Sequence, residues 1–254
     1  MATKRRVLIT GASGLIGGIL REALADVYDL SGVDVRAVPG FDSLTADMTD
    51  LEAIQPAFDG IDTVIDLAAI PAQDTPWKDV HANNIPSTYN ALEASRRAGV
   101  RRVIFASSNH ATGMYEGDHP YSAIVAGRYD GLDPSAVPSI TTGMPIRPDG
   151  PYGIAKAFGE AAGRHYSDRY GLSVVCLRIG TLNREGRPLV PRHFATLLTH
   201  GDLAHLVERS AEASDGVRFD IFYGVSNNRW RFWDVADSRE RIGYRPKDDA
   251  ETWR

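Results

Sequence analysis

The chain has 254 residues, of which 43% are hydrophobic and 24% charged, with a net charge of −5 at pH 7; it is long enough for one large domain, or one with a small appendage, that buries a substantial core. The acidic balance argues against a nucleic-acid partner, and the lone Cys176, set in the apolar run LSVVCLRIG, excludes an internal disulfide and a cysteine-rich zinc site. No stretch approaches the ~20 apolar residues of a membrane span.

The opening MATKRRVLITG reaches a glycine after only a short apolar run, shorter than that of a signal peptide, so a cytoplasmic protein is expected. RVLIT reads as the first strand and leads into a helix from about Leu15 to Leu24. YDLSGVDV and DTVIDLAA are the next strands, followed by a helix around Ile85 to Ala98 and the strand VRRVIFASS. After a long gap come a helix carrying Tyr152, the strand LSVVCLRIG, a helix over HFATLLTHGDLAHLVERSAEA and the strand FDIFYGVS. Apolar strands alternating with helices predict an α/β fold, a doubly wound parallel sheet covered on both faces. The expected division is a Rossmann core over 1–180 and a small substrate-binding part over 181–254. Within the core, 115–146 is rich in Gly, Pro, Ser and Asp and long for a connection; such loops are commonly functional, and a lid is expected.

In VLITGASGLIGGIL, Gly11, Gly14 and Gly17 have G-x-x-G-x-x-G spacing directly after a strand and at the start of a helix. The first glycine permits a tight turn, the second lets backbone approach a pyrophosphate, and the third lets helix pack on strand. The helix N-terminus then offers amide donors to the phosphates. Asp34, about twenty positions on, suits the adenosine ribose hydroxyls and points to NAD. Arg36, just beyond it, leaves NADP open. Asp47 suits either the adenine amino group or a helix cap.

VIFASSNHATG ends a strand on polar residues, where open α/β sheets bind ligands. Further on, PYGIAK places Tyr152 and Lys156 four apart, on one face of a helix. A lysine beside a phenol favours the phenolate, so the pair suits a general base, with a strand-end serine as hydrogen-bond donor to the substrate.

These motifs resemble the extended short-chain dehydrogenase/reductase superfamily over nearly the whole chain. FASSNHATGMYEG, RPDGPYGIAKAFGE, LRIGTLN, YGVSNN and GYRPKDDAETWR are similar to the bacterial uronate dehydrogenases. Those enzymes oxidise the C1 hydroxyl of a cyclic hexuronate with NAD to an aldarolactone. TPWKDVHANNI, FASSNHATGMYE and YGLSVVCLRIGTL also resemble the haloarchaeal glucose-6-phosphate dehydrogenases.

The resemblance implies Ser108 as the substrate-hydroxyl donor, Tyr152 as base and Lys156 as its partner. Asn109 and His110 become substrate contacts, and Arg192 the grip on the sugar carboxylate. Asn84 is implied near the nicotinamide, supporting the lysine. The implied cofactor wall comprises Gly11, Ser13, Gly14, Leu15, Ile16, Gly17, Asp34, Asp47, Met48, Leu67, Ala68, Ala69, Asn84, Ala106, Tyr152, Lys156 and Ile179.

The uronate enzymes offer a serine after the LAA motif, where this chain reads Ile70-Pro71-Ala72. An arginine accepts carboxylate and phosphate alike, so a phosphosugar or another aldose is an alternative substrate. A sugar epimerase or dehydratase and a non-catalytic NAD-binding regulator are further alternatives. Relatives are often oligomeric, which leaves a homo-oligomer open, and no metal is expected.

Overall fold

The computed structural model describes residues 4–71 and 74–254; Ala72, which bears on the departure after LAA, lies outside them. Seven strands form one sheet: β1 (Arg6–Thr10), β2 (Asp29–Asp34), β3 (Ser43–Thr45), β4 (Thr63–Asp66), β5 (Arg102–Ser108), β6 (Ser173–Ile179) and β7 (Phe219–Gly224). They run parallel in the order β3-β2-β1-β4-β5-β6-β7. The helices are α1 (Leu15–Ala23), α2 (Leu51–Ile54), α3 (Trp77–Asp79), α4 (Ile85–Ala98), α5 (Tyr121–Val125), α6 (Pro151–Tyr170), α7 (His193–Thr196), α8 (His200–Ala211) and α9 (Ala236–Arg241). None of the helices among the described residues is long and apolar enough to cross a membrane.

Burial on both faces explains why the central strands read as continuous apolar runs: every residue of β5 and β6 is buried. Successive side chains feed opposite cores. Ile104, Val175 and Leu177 pack with Leu20, Leu203 and Leu206, whereas Val103, Val174 and Cys176 pack with Leu92 and Tyr166. Burial pushes the Cys176 thiol far up, as befits an inert core residue. Helix α6 lies so near β5 that a Cβ on Gly159 would penetrate the Phe105 ring.

The sheet does not stop at residue 180, since β7 adds its last strand alongside β6. At the opposite end of β5 from the polar run that begins at Ser107, the fully buried Arg102 joins the two parts of the chain. Its guanidinium donates to the carbonyls of Ser210, Ala213, Ser214 and Val217 at 2.7–3.3 Å and to Ser173 Oγ at 2.9 Å. The charge thereby meets the C-terminal end of α8 at Ser210 and the carbonyls of the turn that follows it. Burial still pulls it down to about 10.

Two elements differ from the sequence expectation. The helix over 193–213 is two helices: Leu197 turns extended and bridges to Thr181, and the Thr199 hydroxyl caps α8 by accepting from Asp202 N at 3.3 Å. Strand β3 has three residues and a half-exposed edge position, too little apolar periodicity to be seen. The stretch 115–146 is packed onto the C-terminal part. Tyr121 meets Phe232, Tyr129 meets Trp230, and Ile140 pairs with Trp233.

A buried ionic network crosses the sheet near the C-terminal ends of β5 and β6. Glu160 on α6 accepts from Arg178 on β6 through two bonds of 2.8 Å and from Ser107 Oγ at 2.6 Å. Both charges are almost fully shielded from solvent, with side-chain exposures of 1% and 5%. Replacing one partner strands the other, so Glu160→Gln should cost ~3–5 kcal/mol of stability. Urea unfolding monitored by circular dichroism measures it, and a midpoint unchanged from wild type would contradict the assignment.

Candidate active site

A cleft of about 670 Å³ opens along the C-terminal strand ends, lined from Gly11 at one end to Arg192 and His193 at the other. It lies where the strand order reverses between β1 and β4, the switch point of doubly wound sheets. Of the expected residues it brings together Gly11, Gly14, Leu15, Ile16, Gly17, Asp34, Asp47, Met48, Leu67, Ala68, Ala69, Ala106, Ile179, Ser108, Asn109, His110, Tyr152, Lys156 and Arg192. Ser13 and Asn84 are not on its wall. Ser13 N donates to Asp34 Oδ2 at 2.8 Å, and the Asn84 amide exchanges hydrogen bonds with the backbone of Ile70 at 2.9 and 3.2 Å.

The glycine turn is shaped by close approach. Gly11 has φ +65°, and a Cβ there would lie 3.2 Å from the Leu67 and Ala68 backbone; one on Gly17 would meet the Gly11 and Ala12 carbonyls at 2.7 Å. Helix α1 opens with no side-chain cap and no acid in its first turn, which leaves its amides and positive end available to an anion. The mostly buried Asp34 closes β2, its second oxygen held by Arg36 N at 3.0 Å. These features fit a dinucleotide with free ribose hydroxyls. Arg36 also lines the cleft, with Nε 3.2 Å from Ser13 Oγ. Asp47 accepts from Thr49 N and Oγ1 at 2.8 and 2.9 Å in a local turn, while the cap of α2 is Asp50.

Further along, Ser108, Tyr152 and Lys156 converge, all at least nine-tenths buried. Burial pushes the Tyr152 phenol up to about 12, against a hydrogen bond with Ser108 that pulls it down. Burial pulls the Lys156 ammonium down to about 8, opposed by the negative charge of Asp66. Its Nζ lies 5.4 Å from the Tyr152 ring centre and 5.0 Å from that of Phe105. Asp66 in turn is raised to about 6 by burial, against the Thr10 hydroxyl at 2.6 Å and Lys156. Thr10 Oγ1 also accepts from Leu67 N and Ala68 N at 3.0 and 3.1 Å, tying β1 to the loop after β4.

His110 Nδ1 lies 2.7 Å from Asp149 Oδ2, which orients the imidazole. Arg192 donates through Nε and Nη2 to Glu116 at 2.6 and 2.7 Å and through Nη1 to Thr181 Oγ1 at 2.8 Å. Glu116, Asp149 and Thr181 escaped the sequence reading. Thr181 stands just beyond the C-terminal end of β6, the same signal that singles out Ser108. Glu116 and Asp149 meet their partners only through folding and carry no motif.

Known proteins bear on this geometry. The chain matches the model of the NAD dependent epimerase/dehydratase family over residues 7–237. It is 36% identical to L-arabinose 1-dehydrogenase (NAD(P)(+)) of Haloferax volcanii, over 97% of this chain and 98% of that one. The NAD-dependent glucose-6-phosphate dehydrogenase of the same organism is 34% identical, over 96% of this chain and 94% of that one. A crystal structure of a mutant uronate dehydrogenase from Agrobacterium tumefaciens complexed with NAD superposes with a TM-score of 0.81 at 29% identity, covering 98% of this chain and 87% of that one.

The opposition of Asp66 to the burial of Lys156 yields an expected shift. Asp66→Asn removes the negative charge that holds the Lys156 proton, so its titration should move below that of the wild type. NMR of the lysine ε-carbon across the pH range checks this, and an unmoved titration would break the coupling.

Proposed function

The chain belongs to the NAD dependent epimerase/dehydratase family, and its likeness to sugar dehydrogenases supports the reading that follows. We propose that it oxidises the C1 hydroxyl of a cyclic sugar to the lactone. The observation that carries this reading is the meeting of Ser108, Tyr152 and Lys156 in the same cleft as the glycine turn and Asp34. The glycine turn at Gly11–Gly17 and Asp34 would hold NAD, which would supply the acceptor for the hydride leaving C1.

The protein's own residues handle the proton and the orientation. Ser108 donates to the substrate oxygen, and Tyr152 takes the C1 hydroxyl proton. A phenol raised to about 12 is a poor base at neutral pH, so it needs a neighbouring cation. Lys156, four residues on and facing the same ring, supplies that charge while it stays protonated. His110, fixed by Asp149, and Asn109 border the sugar. Hexuronate, phosphosugar and other aldose readings share this chemistry and differ in the group carried at C5, which the resemblance to the uronate enzymes assigns to Arg192, at the far end of the cleft from Gly11.

Tyr152→Phe should keep NAD affinity, read by quenching of protein fluorescence, and lose turnover by ~10²–10⁴-fold. Turnover near the wild-type rate would remove Tyr152 as the base. Asp34→Ala, with Arg36 kept, should raise the NADP-to-NAD ratio of kcat/KM about tenfold or more. An unaltered ratio would place the ribose elsewhere.

A further inference from the structure

We propose that this enzyme selects sugars whose C5 carries no charge, because Glu116 occupies the fork with which Arg192 would grip a carboxylate or phosphate. The inference rests on the sugar-dehydrogenase reading above and adds the substrate class.

An arginine holds an anion best through two parallel N–H bonds. On Arg192 one such edge, Nε and Nη2, already closes on the two oxygens of Glu116 at 2.6 and 2.7 Å. Nη1 is committed to Thr181 Oγ1 at 2.8 Å, and that hydroxyl is paired with Thr196 Oγ1 at 2.8 Å. Glu116 is itself held in place: its side chain is 14% exposed, and Asn109 Nδ2 donates to it at 3.3 Å. Three of the five guanidinium N–H groups are thus satisfied inside the protein, leaving two for ligand.

Charge points the same way. Arg192 and Glu116 sum to zero, so an incoming anion finds no net positive partner and meets a fixed carboxylate at the same guanidinium. His193 lines this end of the cleft too, but burial and then the Arg192 charge hold its imidazole below its ordinary value, which keeps it neutral at pH 7.5. Arg36 belongs to the far end, beside Asp34, and Lys156 faces Tyr152. A sugar hydroxyl has none of these difficulties, since its oxygen accepts from a remaining Arg192 N–H without a second charge being desolvated.

The test uses sugars that differ only at C5. D-Galactose, L-arabinose and D-galacturonate carry a hydroxymethyl group, a hydrogen and a carboxylate there. D-Glucose, D-glucuronate and glucose 6-phosphate form a second set. NADH formation at pH 7.5 with saturating NAD should give a kcat/KM at least tenfold higher for a neutral sugar than for the anionic members of its set. Glu116→Gln, which frees the charge of Arg192, should narrow that ratio at least tenfold by raising kcat/KM for the anion. A wild-type preference for uronate or phosphosugar overturns the inference and leaves the dehydrogenase reading standing. A neutral preference that survives Glu116→Gln unchanged removes Glu116 as its cause. NAD binding with no turnover of any of the six sugars takes away the dehydrogenase reading, and the inference with it.

Discussion

The carboxylate of Glu160 is the point at which the cleft end of the sheet, with its proposed catalytic residues, is held together. It lies one helical turn beyond Lys156 on α6 and takes both bonds of the Arg178 fork from β6 and the hydroxyl of Ser107 from β5. Arg178 passes on to the Tyr223 hydroxyl at 3.1 Å on β7, which meets Thr112 Oγ1 at 3.0 Å; Thr112 in turn donates to the Asn109 carbonyl at 3.2 Å. Three strands, the helix of the proposed base and the turn after β5 are thus joined by one chain of polar contacts. A buried ion pair of this kind adds little net stability over a well-packed apolar cluster. What it adds is geometry. Successive strand residues point to opposite sides, so holding Ser107 against α6 also sets the direction of the neighbouring Ser108.

The cofactor half obeys a different constraint, that of backbone approaching backbone. Gly11 with its positive φ, the Thr10 hydroxyl receiving Leu67 N and Ala68 N, and the uncapped start of α1 shape a surface made mostly of main chain. Main-chain donors suit a pyrophosphate, which offers oxygens on every side. The end of the cleft proposed for the sugar is built instead from charged and polar side chains on separate segments, Arg192, Glu116 and His110 among them. Asp66 lies between the two, close enough to Lys156 to bias its proton and anchored to β1 through Thr10.

Local spacing made much of this visible in advance. The G-x-x-G-x-x-G turn, Asp34 at the close of β2 and the four-residue step from Tyr152 to Lys156 are each set by one turn, strand or helix. The long buried strands were equally plain, since burial on both faces leaves a continuous apolar run. The pairs that condition the site were invisible for the converse reason. Glu116 and Arg192 are 76 residues apart, and nothing near either marks the other. The break between α7 and α8 was hidden too: Leu197 and Leu198 continue a helical pattern of apolar residues, and only the pairing of Leu197 with Thr181 and the Thr199 cap interrupts it. The arginine read as a receptor for a substrate anion is seen, once folded, already holding one of the protein's own.

The connection from β5 to α6 is tied at its base. His110 meets Asp149, Arg147 N donates to the Ala111 carbonyl at 3.1 Å, Met114 N donates to the Arg147 carbonyl at 2.9 Å, and Tyr115 reaches the Pro145 carbonyl at 3.1 Å. The polar turn after Ser108 is thus held from that neck as well as from Tyr223 through Thr112. The stretch beyond it is anchored separately, with Tyr121 against Phe232, Tyr129 against Trp230 and Ile140 paired with Trp233. Only the exposed turns between those anchors, around 127–139, can change length and remodel the outer surface without a register shift being passed to the helix that bears Tyr152.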